Sequence, residues 1–256
     1  MISIRQLLAL AAALAGCAAS PQPRASSTLP SGFVYLSEVA PTVVQDIRYA
    51  GPQNLVGRPL DGYRAPACIL TAPAARKLAG AQTELLAAGL TLRVYDCYRP
   101  ARAIADLVAW SKNRFDQRLK PEYYPRVDKA KLFALGYLDA RSAHARGSAI
   151  DVTIERLPVV PSQRWVPGER SCIAPFLARY HDGSIDMGTN YDCMDALSRA
   201  DATAGVLADA HRGMLRAVME RHGFVGVRDA MWWHFLLRDE PFPKTAFNFP
   251  VTAPAR

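Results

Sequence analysis

Beyond residue 30 the sequence has no apolar run long enough to cross a membrane, which excludes a helical multi-span protein. No internal repeat is visible, so a repeat architecture is not expected. No Cys-x-x-Cys pair occurs, which argues against a zinc ribbon. Charge is one-sided, with a formal net of +8 at pH 7, yet no Lys/Arg run interleaves with aromatic residues. A nucleic-acid partner is therefore not expected, and the surplus reads as a solvated surface suited to an anionic envelope. Nothing marks an obligate protein partner. Histidine is scarce, with five in 256 residues.

What is present begins with a targeting segment. Arg5 gives a short basic start, and Leu7 to Ala15 form an apolar run too short to span a bilayer. It ends in Leu14-Ala15-Gly16-Cys17, which resembles the lipobox of bacterial lipoproteins. Residues 1–17 then form a signal segment that leaves Cys17 as a lipidated N-terminus. Residues 18–30 form a flexible tether, and 31–256 a single domain. The alternative is an ordinary secretory signal cleaved near Ala19. Both place the protein outside the cytoplasm, in the periplasm or cell envelope, and a lipid on Cys17 is the only membrane attachment expected.

Export changes the meaning of the cysteines. Leaving out Cys17, Cys68, Cys97, Cys172 and Cys193 remain. An even number in an oxidising compartment suggests two disulfides with three possible connectivities. Cys68–Cys97 with Cys172–Cys193 closes the shorter loops and is favoured, at roughly 3 kcal/mol each. Four buried thiols are the other reading.

Hydrophobic periodicity predicts a strand over Val43–Tyr49, broken by Gly51-Pro52. A helix is expected from Ala72 to Ala88, capped by Thr71 and closed by Gly89. Thr91–Asp96 alternates like a strand, and residues 101–113 form a second amphipathic helix. A short helical piece is expected near Ala130–Leu135, and a strand over Ala149–Ile154. Residues 158–200 read as a long disulfide-tied excursion. Residues 203–222 read as the longest helix, ended by Gly223, and Trp232–Leu237 as the last strand. Helices and strands mix without strict alternation. The fold class is therefore α+β, with a mainly antiparallel central sheet flanked by helices in a single domain.

Two segments concentrate chemistry: Ser142-Ala143-His144-Ala145-Arg146-Gly147-Ser148-Ala149-Ile150-Asp151 and Trp232-Trp233-His234. On a strand Asp151 shares a face with Ala149 and Thr153, while Ile150, Val152 and Ile154 take the other. An acid so placed faces a cleft. His144, Asp151 and His234 together have the composition of a two-histidine, one-carboxylate zinc site, whose open fourth position suits catalysis rather than structure. Each residue alone reads more simply as a packed histidine or a turn acid. His181, His211 and His222 have no comparable setting, and the last two are expected on the solvent side of the long helix.

Ser142-x-His144-x-Arg146-Gly147-Ser148-x-x-Asp151, Asp96-Cys97-Tyr98-Arg99-Pro100, Asp186-Met187-Gly188-Thr189 and Trp232-Trp233-His234-Phe235 resemble, in order, the D-alanyl-D-alanine dipeptidases. These zinc peptidases include the vancomycin-resistance type and are related to the zinc D,D-carboxypeptidases. The resemblance runs from about residue 40 to residue 250. It implies one Zn2+ held by His144, Asp151 and His234, with D-Ala-D-Ala or a similar dipeptide as substrate. It implies that Arg99 stabilises the transition state, its guanidinium pairing with the oxygens of a tetrahedral intermediate. Without the resemblance Arg99 would read as a structural salt bridge. Ser142 and Asp186 match positions that line the dipeptide pocket, with Asp186 set to pair with the substrate ammonium.

One position departs from the pattern. The family motif is Glu-x-Trp-His, with the Glu as general base, and Met231 stands in its place. A thioether takes no proton from water near neutral pH. Loss of general acid–base catalysis costs roughly 10²–10⁴-fold in rate, or about 3–5 kcal/mol of barrier. Asp229 is the nearest carboxylate in sequence. Ser198-Arg199 is a second departure, where similar proteins often carry Ser-His. Three functions follow: a dipeptidase of reduced efficiency, a non-catalytic zinc-containing binding protein for D-amino-acid peptides, or a D,D-carboxypeptidase.

Overall fold

The computed structural model describes residues 29–227 and 230–255. The signal segment, Cys17 and most of the tether lie outside the described residues, as does Asp229. In chain order the elements are β1 (Phe33–Tyr35), α1 (Leu36–Val39), β2 (Val44–Gln45), β3 (Ile69–Thr71), α2 (Ala72–Ala87), β4 (Leu90–Asp96), α3 (Ala101–Lys112), α4 (Lys120–Tyr123), β5 (Ala149–Arg156), α5 (Val206–Arg221), β6 (Phe224–Gly226) and β7 (His234–Leu237). Five strands form the main sheet in the order β2-β4-β5-β7-β6, and β1 pairs with β3 in a separate ribbon. Only β2 with β4 is parallel; the other three pairings are antiparallel. The fold is thus α+β with a mainly antiparallel sheet, as the sequence predicts. No helix among the described residues is long and apolar enough to cross a membrane.

Ile150, Val152 and Ile154 are fully buried on one face of β5 and join one core with Leu78 and Leu85 of α2 and Leu215 and Met219 of α5. Removing each such side chain from water stabilises the fold by about 1.5–3 kcal/mol. Gln82 fastens α2 to the sheet: its Oε1 accepts from Leu92 N at 2.8 Å and its Nε2 donates to Thr91 Oγ1 at 2.9 Å. Both favoured disulfides form, Cys68–Cys97 and Cys172–Cys193. The excursion after β5 contains no strand of its own and is tied by the second of these bridges.

Several elements depart from expectation. The strand over 43–49 shrinks to Val44–Gln45, and Arg48–Ala50 turn as a 3-10 helix. Arg48 buries its guanidinium against Asp46 and Asp182, at 2.8 and 2.9 Å, and a straight strand would not bring all three together. The helix near Ala130–Leu135 is only the 3-10 turn Lys129–Lys131. Thr71 precedes α2 without capping it, because its Oγ1 bonds Ser148 Oγ at 2.7 Å instead. The helix expected over 203–222 is Val206–Arg221, equal in length to α2.

Candidate active site

Strand register builds the site. Asp96 on β4 lies opposite Asp151 on β5, and Asp151 lies opposite His234 on β7. Three polar side chains thereby stand in one row across the sheet, on the face away from Ile150 and Val152. The β4–β5 register shifts between Val94 and Asp96, a bulge of the kind that re-aims side chains beside active sites. His144 arrives from the 3-10 turn Ala143–Arg146 just before β5. Gly147 ends that turn with φ +77, and a Cβ there would run into the Phe33 ring. Glycine is therefore required twice, by backbone conformation and by space.

His144 Nδ1 lies 2.6 Å from Cys97 O, which can only accept, so Nδ1 carries the proton and Nε2 presents its lone pair. That Nε2 is 3.2 Å from Asp151 Oδ1 and 3.1 Å from His234 Nδ1, and the last two atoms are 3.0 Å apart. A tetrahedral ion with ligands near 2.0 Å separates neighbouring ligand atoms by about 3.3 Å. The three atoms thus mark one triangular face of such a site, and these residues can hold a metal ion. Asp151 Oδ2 accepts from Tyr191 Oη at 3.1 Å, which fixes the carboxylate plane. Burial opposes ionisation of Asp151, but the adjoining His144 and His234 outweigh it and hold the carboxyl well below its usual range. Burial pushes His234 towards its neutral form, the form that ligates, although Asp151 opposes this.

Asp151 and His234 of this row, with His144, line a cleft of about 480 Å³ whose lining also includes Tyr49, Arg99, Ser142, Asp192, Met231 and Trp233, while Asp96 is fully buried. Arg99 Nε donates to Asp96 Oδ2 at 2.9 Å, its Nη2 is 3.6 Å from Asp151 Oδ2, and its guanidinium lies 4.6 Å from the Tyr49 ring centroid. It is therefore a structural ion pair and a cleft-lining cation at once. Ser142 lines the cleft too, while its Oγ accepts from His144 N at 3.4 Å and caps the turn. Met231 is buried in the cleft wall and bridges to Arg199.

Asp186 does not line the cleft. Its carboxylate is engaged by Arg179 and by Gly188 N, and its backbone oxygen bonds the His211 ring, so the structure does not bring the residue expected to meet a substrate ammonium together with His144, Asp151 and His234. His211 is itself buried rather than solvent-facing, and His222 is half-buried against Glu84 at 2.9 Å. Asp192, six residues on, does line the cleft, alongside Asp139 and Asp151. It has φ +61, a left-handed conformation that Asp tolerates better than most residues. Its carboxylate accepts from Tyr49 Oη at 3.0 and 3.1 Å. Burial first, with Asp151 and Asp96 adding, pushes its carboxyl up to about 7 against the opposing pull of Arg99. Asp96, Asp151 and Asp192 thus outnumber Arg99 in one buried space, an excess of carboxylate that suits a divalent cation or an ammonium group.

A family model described as D-ala-D-ala dipeptidase matches residues 30–160 and 165–252. A D-alanyl-D-alanine dipeptidase of Enterococcus faecalis is 36% identical over 223 residues, covering 87% of this chain and 99% of the relative. One of Enterococcus faecium is 34% identical over 221 residues, covering 86% and 98%. One of Streptomyces coelicolor is 33% identical over 220 residues, again covering 86% and 98%. The agreement extends over nearly the whole of each relative, including the strands and the turn that build the cleft, and so the chain belongs to the D-Ala-D-Ala dipeptidase family of peptidases.

Proposed function

We propose that the protein is a zinc-dependent hydrolase of D-alanyl-D-alanine or a closely related peptidoglycan-derived dipeptide, working at reduced efficiency because Met231 replaces the general base. The convergence of His144 Nε2, Asp151 Oδ1 and His234 Nδ1 within 3.0–3.2 Å of one another carries this reading. Zinc bound there supplies Lewis-acid polarisation of the scissile carbonyl and acidifies the attacking water. Arg99, held by Asp96, offers its remaining guanidinium hydrogens to the oxygen that gains charge. Asp192, with Tyr49 orienting it, pairs with the substrate ammonium in place of Asp186. Ser142 borders the bound dipeptide. Export to the cell envelope, with a lipid on Cys17, fits two disulfides, which persist in oxidising compartments.

Met231 also favours a second reading, a binding protein that retains zinc and grips D-amino-acid peptides without cutting them. One experiment separates the two: bound zinc and D-Ala release from D-Ala-D-Ala, measured for wild type and Met231→Glu. Slow turnover in wild type and a gain of about 10²–10⁴-fold in the variant support the hydrolase reading. Equal and substantial rates would show that another group serves as base. No turnover in either, with zinc bound, would overturn the dipeptidase reading and leave the binding role or a different peptide substrate.

A further inference from the structure

Among the described residues Phe115 is the most exposed large apolar side chain, with 98% of its surface open. It stands in the loop 113–119 between α3 and α4, with the exposed cations Lys112, Arg114 and Arg118 around it in the chain. Asp116 pairs with Arg118 at 2.9 Å, whereas neither Lys112 nor Arg114 has a carboxylate of a described residue within ion-pair distance. The turn at Val166–Gly168 lies against this loop, since a Cβ on Gly168 would come within 2.7 Å of Arg118 O, and it adds the exposed Val166. Glu169, the acid of that turn, lies 3.8 Å from Arg170.

The loop is braced from beneath. Asn113 Oδ1 accepts from Phe115 N at 3.2 Å, and Gln117 Nε2 donates to Arg114 O at 2.8 Å. Lys129, fully buried, donates its Nζ to Asp116 O at 3.1 Å and sits 3.9 Å from the Trp110 ring centroid. A fastened loop thus holds a phenyl ring in water, where it gains on entering an apolar phase, and the cations beside it select an anionic surface. A second copy of the chain would bring the same cations and be repelled. Reach allows a membrane to be that surface. The α3 helix begins beside β1, where Ala101 N bonds Phe247 O and the Phe247 ring meets Phe33, and its twelve residues carry the chain about 18 Å to the loop. The segment from Cys17 to Leu29 spans at most about 40 Å when extended, so a lipid on Cys17 and the loop can meet one leaflet.

Resting on the reading that the chain is exported to the envelope, and independent of the dipeptidase reading, we propose that this loop inserts Phe115 into the headgroup region of an anionic lipid leaflet. Lys112 and Arg114 pair with the lipid anions, and Val166 borders the inserted ring. The loop then adds a second membrane contact to the lipid on Cys17 and fixes which side of the domain faces the bilayer.

The test uses the exported, processed chain carrying Phe115→Trp or, as a control, Leu177→Trp at another highly exposed site. Each is mixed with vesicles of phosphatidylglycerol or of phosphatidylcholine, both brominated in their acyl chains, and the wild-type fluorescence is subtracted. Quenching is expected for Phe115→Trp in phosphatidylglycerol alone, and not for Leu177→Trp. Each cation near an anionic surface is worth about fivefold in binding, so adding Lys112→Glu and Arg114→Glu should abolish the quenching, with an unchanged melting temperature showing that the fold is kept. No quenching of Phe115→Trp, equal quenching in the two lipids, equal quenching at the two positions, or quenching that survives the charge reversals would overturn the proposal. Absence of a lipid on Cys17, read from the mass of the exported chain, would overturn the anchor reading alone, because quenching by vesicles is measured with or without it.

Discussion

Met231 and Asp192 occupy opposite positions in the chemistry of the cleft, one a side chain without a proton to exchange, the other a carboxyl pushed up to about 7. Because burial raises the folded value of Asp192 above its unfolded value, its contribution to stability is fully present below about pH 4. It is lost as pH rises through about 7. Metal-free wild type should therefore lose stability, on the order of 4 kcal/mol at most, between about pH 4 and pH 8 relative to Asp192→Asn. Thermal melts of both proteins across that range check this; parallel curves would contradict it. The residues that converge as a candidate metal cluster were legible in sequence because histidine is scarce and two of five fall in distinctive segments. Asp192 was not, since what marks it is a left-handed backbone and a bond from distant Tyr49. Asp186 drew attention through its motif, but the turn at Gly188 directs its carboxylate to Arg179.

Among the elements, β4, β5 and β7 do most to place the site, because their register sets Asp96, Asp151 and His234 side by side. The Cys68–Cys97 bridge ties the segment before β3 to the end of β4, where Cys97 O holds the His144 ring. Replacing both cysteines with alanine should cost about 3 kcal/mol and weaken zinc binding, measured by denaturant unfolding and by metal titration. Unchanged zinc affinity would show that the backbone at Cys97 is held without the bridge. Both long helices and the two longest strands could be read from periodicity, since each has one apolar face or run. Short pieces could not. Val44–Gln45 gives way to a turn that buries Arg48, and β1, β3 and β6 span three residues each, too few to show a period. His211 looked solvent-facing on its helix, yet it meets Asp186 O from a loop whose path no local pattern reveals.

For the molecule as a whole, a sheet backed by α2 and α5 leaves its other face to carry a carboxylate-rich cleft, and a disulfide-tied excursion brings Asp192 to its lining and Tyr191 against Asp151. Three carboxylates against one guanidinium are costly together until a cation joins them, so metal binding should stabilise the fold by mass action. Zinc titration of the metal-free protein, with stoichiometry read directly and compared with His144→Ala, Asp151→Asn and His234→Ala, tests the central claim most directly. One zinc per chain with a rise in melting temperature, both lost in each variant, is the predicted result. Zinc bound equally well by all four proteins, or by none, would contradict it.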